Sequence, residues 1–86
     1  FMLGIYLGLG ENAIESKQYY LGERIFQQAL TIAQAEKNNY TDLAESYTRI
    51  GQCQSRLKNQ KQALESFNKA AALYEKAEEG IIFNMD

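Results

Sequence analysis

The chain has no proline, no histidine, no tryptophan and a single cysteine among its 86 residues. Without proline, nothing inside a helix locks φ or removes a backbone N–H, so helices can run on uninterrupted. Without histidine there is no imidazole to serve as a base near neutral pH and no ordinary zinc site. Cys53 has no second cysteine for an internal disulfide and no histidine to make it a nucleophile. The expectation for it is a small, semi-buried helix residue in a reducing, cytoplasmic protein.

An excess of one charge is missing too. Nine Lys and Arg stand against eleven Asp and Glu, a net charge of −2, and no basic stripe exists to displace counterions from a nucleic acid. A long hydrophobic run is also lacking. The stretch "FMLGIYLGLG" (1–10) is about half of the roughly 20 residues a membrane span needs, and Glu11 and Asn12 end it. It has no basic region ahead of it, as a secretion signal would. Gly4 and Gly8 form G-x-x-x-G, but that spacing acquires its packing meaning inside a full apolar span. As a phosphate loop, "GLGENA" lacks the third glycine and the preceding strand. Neither a membrane nor a nucleotide is an expected partner, and no cofactor or metal is called for.

What is present suits one small globular domain spanning residues 1–86, with 45% apolar and 23% charged residues. The chain begins at Phe1 rather than at methionine, so a piece of a longer protein is expected. Acidic pairs exist at Glu11 and Glu15, and again at Glu75, Glu78 and Glu79. Acid–base work needs a desolvated pocket, and these carboxylates are expected to face solvent, so no enzyme is expected here.

The chain is similar to itself. A shift of 41 residues places Tyr6 on Tyr47, Leu9 on Ile50, Gly10 on Gly51 and Lys17 on Lys58. It also places Gly22 on Ala63, Phe26 on Phe67 and Ala29 on Ala70. Each unit, about 2–41 and about 42–80, reads as two helices, with 81–86 as a tail or the start of a further element. In the first unit, a helix from about Met2 to Glu15 is expected to turn Met2, Tyr6, Leu9 and Ala13 inward. A second, continuing to about Lys37, carries Gly22, Ile25, Phe26, Ala29, Ile32 and Ala33. In the second unit, Asp42 with Glu45 has the spacing of a capping box. Leu43, Tyr47, Ile50, Gln54 and Leu57 follow on one face, with only Gln54 polar. After "LKNQK", Ala63, Phe67, Ala70, Tyr74 and Ala77 form the last stripe, ending near Glu79 and Gly80. A glycine inside a helix costs about 1 kcal/mol against alanine. Close approach of the hairpin's other helix at Gly10 and Gly51 is the expected compensation.

These residues resemble those of the tetratricopeptide repeats, a family of helix–turn–helix units of about 34 residues. Tyr47, Ile50–Gly51, Ala63, Phe67 and Ala70 occupy the family's slots in the second unit. Tyr6, Leu9–Gly10, Gly22, Phe26 and Ala29 occupy them in the first, with glycine in place of the first alanine. Two features depart from the pattern: the longer period and the missing terminal proline. Longer units occur in subfamilies such as those of kinesin light chains and bacterial peptide-sensing regulators. The resemblance implies an all-α fold of two antiparallel hairpins stacked as a right-handed superhelix.

It also implies a non-catalytic scaffold or adaptor whose first helices line a concave groove for a peptide segment of a protein partner. Projected onto this chain, the groove-facing positions are Gly4, Leu7, Gly8, Glu11 and Glu15, then Glu45, Thr48, Arg49, Gln52, Ser55 and Arg56. The partner-binding set is Glu11, Glu15, Thr48, Arg49, Gln52 and Arg56. Arg49 and Arg56 offer forked donors to carboxylates or backbone carbonyls. The Lys and Asn clamp that some relatives use on a chaperone's C-terminal carboxylate has Leu7, Glu11 and Arg49 in its slots, so that ligand is not expected. The alternative is a structural, self-associating repeat segment of a larger protein, since about three repeats are usual for stability. Phe1, Leu3, Ile81, Ile82 and Phe83 would then be the apolar ends through which copies meet.

Overall fold

The computed structural model describes residues 2–36 and 39–84, and side chains as far as Glu79. Four helices follow one another: α1 (Met2–Glu15), α2 (Tyr19–Gln34), α3 (Tyr40–Arg56) and α4 (Gln60–Asn84). Each packs along the next in sequence, α1 on α2, α2 on α3 and α3 on α4. The smallest extent of the molecule, 19 Å, is that of two helix layers. Phe1 lies outside the described residues, as do the side chains of Ile81, Ile82 and Phe83, whose backbone is helical.

The two hairpin turns are built alike. At the end of α1, Lys17 adopts a left-handed backbone with φ of 63°. Its N–H donates to the Ile14 carbonyl at 2.9 Å, and the Gln18 N–H to the Ala13 carbonyl at 2.8 Å. At the end of α3, Lys58 has φ of 68°. There the Lys58 N–H donates to the Ser55 carbonyl at 3.0 Å and the Asn59 N–H to the Gln54 carbonyl at 2.8 Å. Both are Schellman motifs, which satisfy the last carbonyls of a helix and reverse the chain in three residues. Glycine usually occupies the left-handed position. Lysine holds it twice here, at a cost of about 1–2 kcal/mol each.

Three helix ends differ from the sequence reading. α2 stops at Gln34, where the Ala35 and Glu36 N–H groups reach back only three residues, to the Ile32 and Ala33 carbonyls. α3 starts at Tyr40 with Asn39 as N-cap, so Asp42 is not a cap. It stands within the first turn, where a carboxylate favours the positive end of the helix dipole. α4 does not end near Gly80 but passes through it to Asn84, as a chain without proline can.

The core runs along α2 in two clusters. Leu3, Ala29 and Ala33 form one, with Tyr6, Leu7, Ile32 and Leu43 packed around them. Phe26, Ile50 and Cys53 form the other, with Leu7, Ile14, Tyr19 and Leu30 around them. Leu7 touches both and is half-buried rather than a groove residue. α1 is turned about one residue from the expected setting. Leu3, Gly10 and Ala13 are its buried residues, while Met2 and Leu9, expected inside, are 59% and 49% exposed. The reason is that α1 packs mainly on α2, whereas α3 is packed extensively by both α2 and α4. Leu3, expected at an exposed end, is therefore a core residue against Ala29 and Ala33.

The two helix-interior glycines do what their spacing suggested. A Cβ on Gly10 would lie 2.6 Å from the Phe26 ring, and one on Gly51 2.8 Å from the Phe67 ring. Gly22, where its counterpart is alanine, faces the Cys53 sulfur, which would stand 3.1 Å from an added Cβ. The glycine in that slot thus makes room for the thiol of the following hairpin.

Candidate functional site: the groove between the first helices

Glu11 and Glu15 stand one turn apart on α1, and Thr48, Arg49, Gln52 and Arg56 form a strip along the facing side of α3. The structure joins the two helices at the middle of this groove. Arg49 Nη2 donates to Glu11 Oε1 at 3.2 Å, and Nη1 donates to Gln52 Oε1, also at 3.2 Å. The ion pair is half-open to water, with side-chain exposures of 33% for Arg49 and 49% for Glu11. Exposed pairs of this kind contribute at most about 1 kcal/mol. Arg49 Nε is enclosed with no partner among the described residues.

The other members are placed unequally. The Thr48 hydroxyl donates to the Ala44 carbonyl at 2.9 Å, a bond within its own helix that leaves it little to offer a ligand. Arg56 is exposed, and its guanidinium lies 5.9 Å from the centre of the Tyr19 ring. Glu15 is exposed at the end of α1. Gly4 and Gly8 are exposed, and a Cβ on either would meet nothing within 4 Å.

Two small hollows flank Ile14. One, of about 190 Å³, is bounded by Glu11, Ile14, Glu15 and Arg49. The other, of about 260 Å³, is bounded by Ile14, Tyr19, Gln52, Ser55, Arg56 and Phe67. Both fall below the roughly 300–1,000 Å³ usual for small-molecule sites. Ile14 and Tyr19 were not singled out from the sequence. Tyr19 could have been found from Arg56, since an exposed guanidinium near a helix-initial tyrosine is a stacking pair.

A polar chain crosses the interior behind the groove. Gln54 Nε2 donates to Glu23 Oε2 at 3.1 Å, and the Ser66 hydroxyl donates to Gln54 Oε1 at 2.7 Å, tying α2, α3 and α4 together. Gln54 was the one polar residue in the apolar stripe of α3, and its burial required such partners. On this opposite side of α3, a trough between α2 and α4 contains two wider hollows, of about 310 and 460 Å³, floored by Leu43, Tyr47, Ile50 and Gln54. Lys69 spans it with its ammonium 5.5 Å from the Tyr47 ring centre.

Cys53 is fully buried and free. Burial away from water, with the Glu23 carboxylate nearby adding to it, pushes its pKa up from 9.0 to about 11. A thiol in that state is inert rather than nucleophilic. Among the described residues no group of three or more His, Cys, Asp or Glu is gathered to hold a metal ion. No helix among them is long and apolar enough to cross a membrane.

The family model described as Tetratricopeptide repeat matches residues 1–76. Comparison with the curated proteins and with the solved structures gives no match. Four helices in two hairpins, glycines that admit an aromatic ring at equivalent points, and a family match over most of the length lead to one assignment. The chain belongs to the tetratricopeptide repeat family, whose helical hairpins are protein–protein interaction modules.

Proposed function

We propose that this segment is a non-catalytic scaffold that takes a peptide segment of a protein partner in the groove between α1 and α3. The observation that carries this reading is the Arg49 guanidinium, held half-exposed across the groove by Glu11 and Gln52. A ligand carboxylate or main-chain carbonyl can replace the Glu11 carboxylate on Nη2 at little cost, because that exposed pair is weak. Arg56 supplies a second donor four residues beyond Gln52, and the hollows beside Ile14 take side chains. Gly4 and Gly8 leave the α1 wall open to a close main-chain approach.

Selection from a displayed library of random peptides tests the reading. Peptides enriched on the native chain should carry acidic residues. They should lose at least tenfold in affinity with Arg49→Glu/Arg56→Glu, a variant shown by circular dichroism to be folded. Peptides that bind the variant as tightly as the native chain would place the site elsewhere, with the trough beside Tyr47 the next face to probe.

A second reading, a structural segment that associates with copies of itself, is favoured by the apolar residues left uncovered on α1 and α4. Met2, Ile5 and Leu9 are each about half exposed or more, as are Leu64 and Tyr74, while Phe67 is 38% exposed.

A further inference from the structure

We propose that the trough between α2 and α4 is a second binding surface, one that takes an extended acidic stretch of a protein partner with an apolar side chain seated between Leu43 and Leu73. It stands apart from the groove between α1 and α3. Tyr47 on its floor and Arg49 in the groove are two residues apart, about 200° around α3.

The walls and floor come entirely from described helices. Both α2 and α4 pack on α3 but little on each other, so side chains of α3 floor an open channel between them. Its hollow of about 310 Å³ is lined by Gln34, Leu43, Tyr47, Lys69, Ala72 and Leu73. The adjoining hollow of about 460 Å³ shares Tyr47 and Lys69 with it. Leu43, Tyr47 and Leu73 are half-buried and present apolar surface to an occupant. From Gln62 to Leu73 the α4 wall runs for about 16 Å, the span of about five extended residues. A further hairpin stacked on α4 as α3 is stacked on α2 would leave this channel open. It would cover the row of Phe67 and Tyr74, the counterparts of Phe26 and Ala33. Lys69 and Lys76 each follow that row by two residues and so lie on the other side of α4.

Charge selects the occupant. Lys69 and Lys76 stand two turns apart on α4, and each holds its ammonium over a tyrosine of α3, 5.5 Å from the Tyr47 ring centre and 5.9 Å from that of Tyr40. Neither is paired with a carboxylate among the described residues. An ammonium resting on a ring face still turns N–H donors outward. The facing wall of α2 is uncharged, with Gln27, Thr31 and Gln34 exposed along it. Glu65 and Glu23 lie towards the other end of the channel, and Glu23 already accepts a hydrogen bond from Gln54. The apolar hollow is therefore at the positive end. Carboxylates flanking an apolar residue meet Lys69 and Lys76 there, whereas a basic stretch would meet two like charges. The amides of Gln27, Gln34 and Gln62 both donate and accept, which suits the alternating groups of an extended main chain.

Selection from a displayed library of random peptides tests this, carried out on the folded Arg49→Glu/Arg56→Glu chain so that ligands of the α1–α3 groove are set aside. Enriched peptides should combine an apolar residue with flanking Asp or Glu. Synthesised singly, they should bind about tenfold or more weakly after Lys69→Glu/Lys76→Glu. Ala72→Tyr, which fills the apolar hollow without altering charge, should weaken them as well. Lys69, Ala72 and Lys76 are all exposed, and circular dichroism verifies that each variant is folded. Failure to enrich acidic peptides overturns the proposal, as do enriched peptides that bind the Lys69→Glu/Lys76→Glu chain as tightly as its parent. Peptides weakened by the charge reversal but indifferent to Ala72→Tyr overturn it too, since they are attracted to the lysines without being seated in the hollow. None of these results bears on the groove, whose arginines are already replaced.

Discussion

Replacing Gly10 by alanine should destabilise the protein far more than replacing Gly51, although the two glycines occupy the same slot of their units. A Cβ at position 10 would lie 2.6 Å from two atoms of the Phe26 ring, where ordinary contact begins at 3.4 Å. The ring must retreat by most of an ångström. Phe26 is fully buried beneath Ile50 and Cys53, so it has nowhere to go. Overpacking of this kind costs about 1–3 kcal/mol or more, against a helix-propensity gain of about 1 kcal/mol on replacing glycine. The net loss is about 1–2 kcal/mol, which lowers Tm by roughly 5–15 °C in a domain of this size. At Gly51 the nearest ring atom would be 2.8 Å away, but Phe67 is 38% exposed and can swing outward. The two terms then nearly cancel, and Tm should stay within about 4 °C of the native value. Thermal unfolding followed by circular dichroism in dilute solution decides the matter. Equal losses, or a larger loss at Gly51, would refute the argument that burial of the facing ring sets the cost. As a control, Phe26→Leu should be less costly in the Gly10→Ala background than in the native chain, because the ring that clashes has gone.

Three further outcomes are expected. Lys58→Gly should raise stability by about 0.5–1 kcal/mol, because φ of 68° costs lysine more than it costs glycine; a lower Tm would count against it. Ser46→Ala should also stabilise, by about 1 kcal/mol, since the Ser46 hydroxyl is fully buried with no hydrogen-bond partner among the described residues. A loss on urea titration would mean that the hydroxyl is satisfied in solution. For Cys53 the native pKa, about 11, lies above the unfolded value near 9.0. The native state therefore holds the proton longer, and the stability this contributes is complete below pH 9 and lost as pH rises towards 11. The loss is about 2–3 kcal/mol, so native stability should fall across that window more steeply than that of Cys53→Ala; parallel curves would reject the assignment.

Much of the architecture was legible because it repeats. The bounds of α1 and the role of Gly10 and Gly51 could be read from matching pairs of residues. The pairing of Lys17 with Lys58 was visible as well, but not its meaning: a left-handed lysine has no local sequence signature. Asp42 and Glu45 misled because their spacing satisfies the capping-box pattern, whereas the chain enters α3 three residues earlier, through Asn39. In the groove the residues could be named from the helical pattern, but their engagement was not readable. That Arg49 is tied to Glu11 depends on how α1 and α3 are juxtaposed, and that Thr48 spends its hydroxyl on Ala44 depends on its rotamer.

The misplaced inward face of α1 has a more general cause. Periodicity identifies the rows of a helix that prefer to leave water, and in a stacked repeat every helix has more than one such row. Leu3 and Leu9 are equally apolar, yet one is 8% and the other 49% exposed, because α2 covers only the row that includes Leu3, Gly10 and Ala13. In α3 the corresponding rows are both covered, and Ala44 and Ile50 are both buried. Phe26 and Phe67 differ for the same reason: each fills the space left by a glycine, but only Phe26 has a following hairpin above it. A repeat sequence thus specifies which surfaces are capable of burial. Which of them are buried depends on what lies next in the stack, and this is why Leu9 and Phe67 are the positions at which a neighbour should be sought.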